Sequence, residues 1–262
     1  MHEFKPASPS HAIERCAVQL AFSDVIPDKG LTTIVEQSAA HASALGMHRD
    51  AGGLGRGIQI DMATGKMMPI TGSVGPAAFS TADRAQQLMF LPNAINFVTH
   101  KYVSWKQFMA DFHKAADVAL EQYEKLASVV AVQIEYWDRF TWTGNWDDFR
   151  TTNLINEKSS LVAPIFNRAK RELHSHVGWF EDEDTHRRLW NVNVDVLGLG
   201  NLPGQVRPSV GIYTLGRDTA LDAKREGFGK TPYYDRLEVL HDNLKAHLKE
   251  VIVEPMAKKI GL

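Results

Sequence analysis

The sequence predicts an α+β fold with mostly antiparallel sheets and helices packed on them. Three observations carry this. Residues 104 to 124 read as one long amphipathic helix. Residues 130 to 142 alternate as one long strand. Elsewhere strands repeatedly follow strands, which disfavours a parallel, doubly wound sheet. The first half, 1-150, reads β-α-β-β-β-β-α-β. That order suggests a ferredoxin-like βαββαβ unit with an inserted hairpin. The second half, 151-262, adds three strands and a C-terminal helix, packed on the first half as one compact unit.

In chain order, residues 1 to 12 are rich in Pro and Ser and read as extended. Ile13 to Phe22 alternates, with Cys16, Val18, Leu20 and Phe22 on one face and Arg15 and Gln19 on the other. Leu31 to Leu45 recurs at helical spacing, and Gly46 can cap it. Gly57 to Met62 and Lys66 to Ile70 form strands about Thr64-Gly65. Leu88 to Leu91 and Ile95 to His100 flank Pro92-Asn93 as a hairpin.

Ser104 can cap the long helix, and Gln107 completes an S-x-x-Q capping box. Its apolar stripe runs through Trp105, Phe108, Met109, Phe112, Ala115, Ala116, Ala119, Leu120 and Tyr123. The strand that follows is its expected partner. On that strand Val130, Val132, Ile134, Tyr136, Phe140 and Trp142 share one face, and Asp138 interrupts it. Either a bulge near Trp137 flips the register, or the carboxylate is buried and paired. The bulge or strand end is the favoured reading.

Glu172 to Phe180, Leu189 to Leu197 and Ser209 to Leu215 are the later strands. Thr231 caps the last helix, with Pro232 in its first turn. Its buried stripe is Leu237, Leu240, Leu244, Leu248 and Val251.

Composition is that of a globular protein, with 44% hydrophobic and 23% charged residues. A sizeable core therefore needs neither metals nor disulfides. The net charge of −2 and the lack of a basic segment argue against nucleic acid as the main partner. Cys16 is the lone cysteine, which fits a reducing compartment, and its strand phase places it in the core. The first residues carry no apolar stretch, and no apolar run reaches membrane-spanning length. A cytoplasmic protein without a membrane partner is expected.

Motifs for chemistry are sparse. The glycine-rich stretches 50 to 57 and 198 to 204 lead into strands, whereas phosphate-binding loops open helices, so neither reads as a nucleotide fingerprint. There is no G-x-S-x-G, H-E-x-x-H or C-x-x-C. No catalytic residue and no cofactor is assigned.

Three weak candidates remain. Asn191, Asn193 and Asp195 are the most concentrated polar row on any strand. Covered, that row lines a small-molecule cleft; bare, it is the wet side of an antiparallel sheet, and the second is favoured. Trp137, Trp142 and Trp146 either form a ligand or partner platform or close a core beneath a loop, and again the second is favoured. His174 and His176, at i and i+2 on a strand, could ligate a metal with Asp182 or Asp184. Two exposed histidines are the plainer reading.

Four stretches carry a family resemblance. They are Ile13-Glu-Arg-Cys-Ala-Val-Gln-Leu-Ala-Phe-Ser, Tyr102-Val-Ser-Trp-Lys-Gln-Phe, Val132-Gln-Ile-Glu-Tyr-Trp-Asp-Arg-Phe and Leu237-Glu-Val-Leu-His241. The chain resembles a sporadically distributed family of uncharacterised bacterial proteins of about this length. It departs from that family's Arg-Tyr-Ile-Asn-Arg-like run at Glu135 and Trp137-Asp138. The resemblance implies a bacterial origin and a shared fold, and it carries over no catalytic residues. Patchy distribution is associated with accessory genes such as phage-defence or toxin–antitoxin partners.

The leading expectation is therefore a non-enzymatic protein-interaction protein, an accessory or neutralising partner of another protein in such a system. The alternative is a small-ligand or nucleotide binder, with or without enzymatic activity, using a cleft between the halves. A homo-oligomeric scaffold is the third.

Overall fold

The computed structural model describes residues 2–50, 57–61, 66–70, 78–168, 171–200, 206–221, 228 and 233–262. In chain order the elements begin with β1 (Phe4–Pro6), β2 (Ile13–Phe22), α1 (Asp28–Ser43), β3 (Met47–Arg49), β4 (Gly57–Asp61) and β5 (Lys66–Ile70). Next come β6 (Ala78–Thr81), β7 (Gln86–Leu91), β8 (Ala94–Thr99), α2 (Trp105–Glu124) and β9 (Val129–Trp142). The chain ends with β10 (Leu173–Asp182), β11 (His186–Leu199), β12 (Arg207–Ala220), α3 (Tyr233–Val251) and α4 (Glu254–Lys259). The fold is α+β and its strand pairs are antiparallel, as the patterning predicts. Thr231 and Pro232 lie outside the described residues, as do 51–56 and 201–205 of the two glycine-rich stretches.

The chain divides into two compact units. One comprises residues 1–23, 100–102 and 128–262; the other comprises 24–99 and 103–127. This differs from the division at residue 150 expected from the sequence. The physical reason is pairing: β9 hydrogen-bonds β12 along eleven registered residues and β2 on its other side, so the first strand joins the last third of the chain.

In the smaller unit, β8, β7, β6 and β3 pair in that order, as a meander about the Pro92-Asn93 turn with β3 added at its edge. The ferredoxin-like βαββαβ order expected for the first half is therefore not the one formed, because successive strands pair with each other. α2 buries the predicted stripe except Trp105, which is only partly buried. Its partners within this unit are α1 and β8, with Phe97 ring centroids 5.4 and 5.9 Å from Phe108 and Phe112. The strand that follows it, β9, is grouped with the other unit.

The Ser104 hydroxyl accepts from the Gln107 backbone N–H at 3.2 Å, closing the cap. The Gln107 side chain turns forward instead, donating to Asp111 at 2.8 Å. Replacing Ser104 with Ala is expected to cost about 1 kcal/mol, read as a lower urea midpoint by circular dichroism.

In the larger unit the sheet order is β10-β11-β12-β9-β2, with β1 also against β9. Its inner face carries Val192, Val194, Val196, Val210, Ile212 and Phe140. These pack with Leu248, Val251 and the 149–166 segment in one apolar cluster. A Cβ on Gly216 would stand 2.5 Å from Trp190 and 3.2 Å from Leu240, so the bare glycine leaves room for these side chains and for the approach of α3. Among the described residues no helix is long and apolar enough to cross a membrane.

Candidate functional site

Because strand side chains alternate, directly paired residues share a face, and the register sorts every candidate in the larger unit. The inner face of β9 carries Ile134, Tyr136, Asp138, Phe140 and Trp142 without interruption. No register shift occurs in β9 against β12 at Asp138. The bulge instead lies on β2, between Ile13 and Arg15, with Glu14 as the extra residue. Asp138 therefore keeps its place in the core, 2% exposed, and its Oδ1 has no hydrogen-bond partner among the described residues. The favoured reading of a flipped register is overturned. Burial pushes the Asp138 carboxyl up to about 7.

Around Asp138 sit Cys16, Tyr102 and Tyr136, with His241 beyond Tyr136. Tyr136 hydrogen-bonds the Cys16 thiol, and its hydroxyl lies 2.8 Å from His241 Nδ1. Tyr102 meets Tyr136 edge to face. Burial raises the Cys16 and Tyr136 groups and holds His241 down to about 4. All are uncharged near neutrality. Cys16, Tyr102, Tyr136 and His241 come one from each of the four stretches that carry the sequence resemblance. The cluster has no exposed reactive group: Cys16 is fully buried, and burial disfavours its thiolate.

The outer face is different in kind. Asn193 stands opposite His176 on one side and Tyr213 on the other. Tyr213 stands opposite Trp137, and Trp137 opposite Arg15. A continuous polar and aromatic row thus crosses five strands. The Trp137 and Tyr213 ring centroids are 4.6 Å apart, and the Arg15 guanidinium lies 4.2 Å over the Trp137 ring. One row along, Asp195 pairs with Gly211, and Gly211 with Arg139. A Cβ on Gly211 would stand 2.9 Å from Arg139 Nη1, so the bare glycine lets the guanidinium lie across the sheet. In the row on the other side, Asn191, Leu215 and Glu135 are neighbours. Burial raises the Glu135 carboxyl, opposed by Arg15 and by hydrogen bonds from Gln133 and Tyr213.

Four buried polar atoms on this face have no hydrogen-bond partner among the described residues. They are Arg15 Nε, Arg139 Nη1, Asn191 Oδ1 and Asn193 Oδ1. Asn191 is only 9% exposed, which is unlike the wet side of a bare sheet.

The sequence candidates therefore separate. Asn191, Asn193, Asp195 and Trp137 share the outer face. Trp142 and Trp146 do not: Trp142 is a core residue against Phe4 and Phe149, and Trp146 packs edge to face on Phe149. His174 Nδ1 lies 2.6 Å from Asp195 Oδ1, while Asp182, at the far end of β10, pairs with Arg187. Among the described residues no group of three His, Cys, Asp or Glu is placed to hold a metal.

Arg15, Arg139 and Tyr213 are the site residues that sequence reading misses. Their signal is parity with Trp137 along β9 and its neighbours, visible once the strands are paired. No family model matches the chain, and no curated protein matches it.

Proposed function

We propose that the protein binds a small polar ligand on the outer face of the β11-β12-β9-β2 sheet. The observation that supports this is the set of partnerless buried atoms on Arg15, Arg139, Asn191 and Asn193. A buried donor or acceptor left unpaired costs about 1–3 kcal/mol, and four on one face mark a surface built to hydrogen-bond something else. Trp137 and Tyr213 supply flat apolar area between them.

Native mass spectrometry of the protein from its own host tests this. The expected spectrum shows an added mass of small-molecule size, lost in the Asn191→Leu/Asn193→Leu double variant and weakened in Gly211→Ala. A bare chain mass, before and after exposure to a host metabolite extract, overturns the reading.

A second reading, a protein partner in a bacterial conflict system, has one observation in its favour. β10 is the end strand of its sheet and exposes Phe180 by 53%, with Arg187 stacked on the ring. A pull-down from the host that retains its partner in the Phe180→Ser variant counts against that edge.

A further inference from the structure

The partnerless atoms divide by chemistry and by place. The two donors, Arg15 Nε and Arg139 Nη1, belong to β2 and β9; the two acceptors, Asn191 Oδ1 and Asn193 Oδ1, belong to β11. The carboxylates near the donors neutralise them poorly. Glu14 meets Arg139 only through Nε, at 3.3 Å, and is half exposed. Glu135 is displaced by burial toward its neutral form. Asp195 is engaged with His174 at 2.6 Å. Arg217, further along the same face of β12, makes no ion pair among the described residues, and burial lowers its pKa. On this face Arg15, Arg139 and Arg217 thus stand against weakly countering acids.

Resting on the ligand reading above, we propose that the ligand carries an oxyanion, a carboxylate or a phosphate. Arg139 and Arg15 hold it, and N–H or O–H donors elsewhere on the ligand face Asn191 and Asn193. Guanidinium donors match such oxyanions in geometry and charge. The scale fits a metabolite: adjacent strands lie about 4.8 Å apart, so the row from Arg15 to Asn193 spans about 14 Å. Arg139 reaches part of that distance, because its guanidinium lies over Gly211 on β12.

The test uses the full chain labelled with ¹⁵N, following arginine Nε–H and tryptophan indole resonances. Sodium phosphate and sodium acetate are titrated against sodium chloride at matched ionic strength. Saturable shifts are expected at Arg15, Arg139 and Trp137. Affinity should fall about ten-fold or more in Arg139→Gln, the loss of one charge-assisted hydrogen bond. It should also fall in Gly211→Ala, and stay unchanged in the exposed-surface control Arg168→Gln. Tighter phosphate marks a phosphoryl ligand, and tighter acetate a carboxylate. Shifts no larger than those from chloride, or shifts unaltered in Arg139→Gln, overturn the oxyanion assignment. If a host-derived added mass persists in that case, only this assignment fails and the ligand reading stands. If neither is seen, both fail.

Discussion

Asp138→Asn is expected to remove a loss of stability that the larger unit otherwise suffers as the pH rises from 5 to 8, read as the difference between wild type and variant. In the unfolded chain this carboxyl ionises near pH 3.9. In the folded chain burial holds it protonated up to about 7. Stability is therefore fully present below the unfolded value. It is lost as the pH climbs toward the folded value, because the unfolded state gives up its proton first. A shift of about three units corresponds to roughly 4 kcal/mol over the whole range. About 2–3 kcal/mol of that falls between pH 5 and pH 8.

His241 acts in part of the same window with the opposite sign: burial holds it down to about 4, so as the pH falls the unfolded chain takes up this proton first and stability drops. Burial raises Cys16, Tyr102 and Tyr136 away from the window. Glu135 contributes with the same sign as Asp138, so the readout is the difference between wild type and variant. Five of the six tryptophans lie in the larger unit, so fluorescence-detected urea unfolding reports on it. Equal slopes with pH in both proteins would show that Asp138 is already ionised at pH 5.

The second large effect concerns Asp218, which is fully buried where β12 meets β11 and α3. Arg188, directly opposite in register, donates to it twice, at 2.7 and 3.0 Å. His186 Nε2 lies at 3.3 Å and Arg236 Nη1 at 3.6 Å. Asp218→Ala leaves Arg188 and Arg236, each with about an eighth of its side chain exposed, without their central counter-charge. The expected loss is about 3–5 kcal/mol. Replacing the pair together, Asp218→Leu with Arg188→Met, should recover part of it, because only Arg236 is then left without its counter-charge. Urea midpoints of wild type and the two variants decide this. A double variant as unstable as Asp218→Ala would show that the ion pairs themselves, not the stranded cations, set the loss.

Where a single face of one element decides the structure, the sequence is legible. Ile13–Phe22 forms over the residues its alternation predicts, and α2 and α3 bury the stripes read from their periodicity. What escapes is whatever depends on pairing between distant strands. β12 continues five residues past Leu215, because Arg188 on β11 neutralises Asp218 on the core face. A charged residue at that position otherwise reads as a strand end. Asp138 is the same lesson without a cation, its burial tolerated by protonation. Trp137 and Trp142 are close in sequence yet stand on opposite faces, five residues apart on a period of two. Arg15 and Arg139 read as solvated positions on separate strands, and only the β2–β9 register brings Arg15 beside Trp137, two residues from Arg139.

The measurement that bears most directly on the ligand face is the stability of the ligand-free Asn191→Leu/Asn193→Leu variant. Buried amide oxygens without partners strain the free protein, so leucines of similar size should stabilise it by about 1 kcal/mol or more while abolishing ligand binding. A variant destabilised by about 1–3 kcal/mol would mean that these amides are satisfied within the protein, and the face would then be structural.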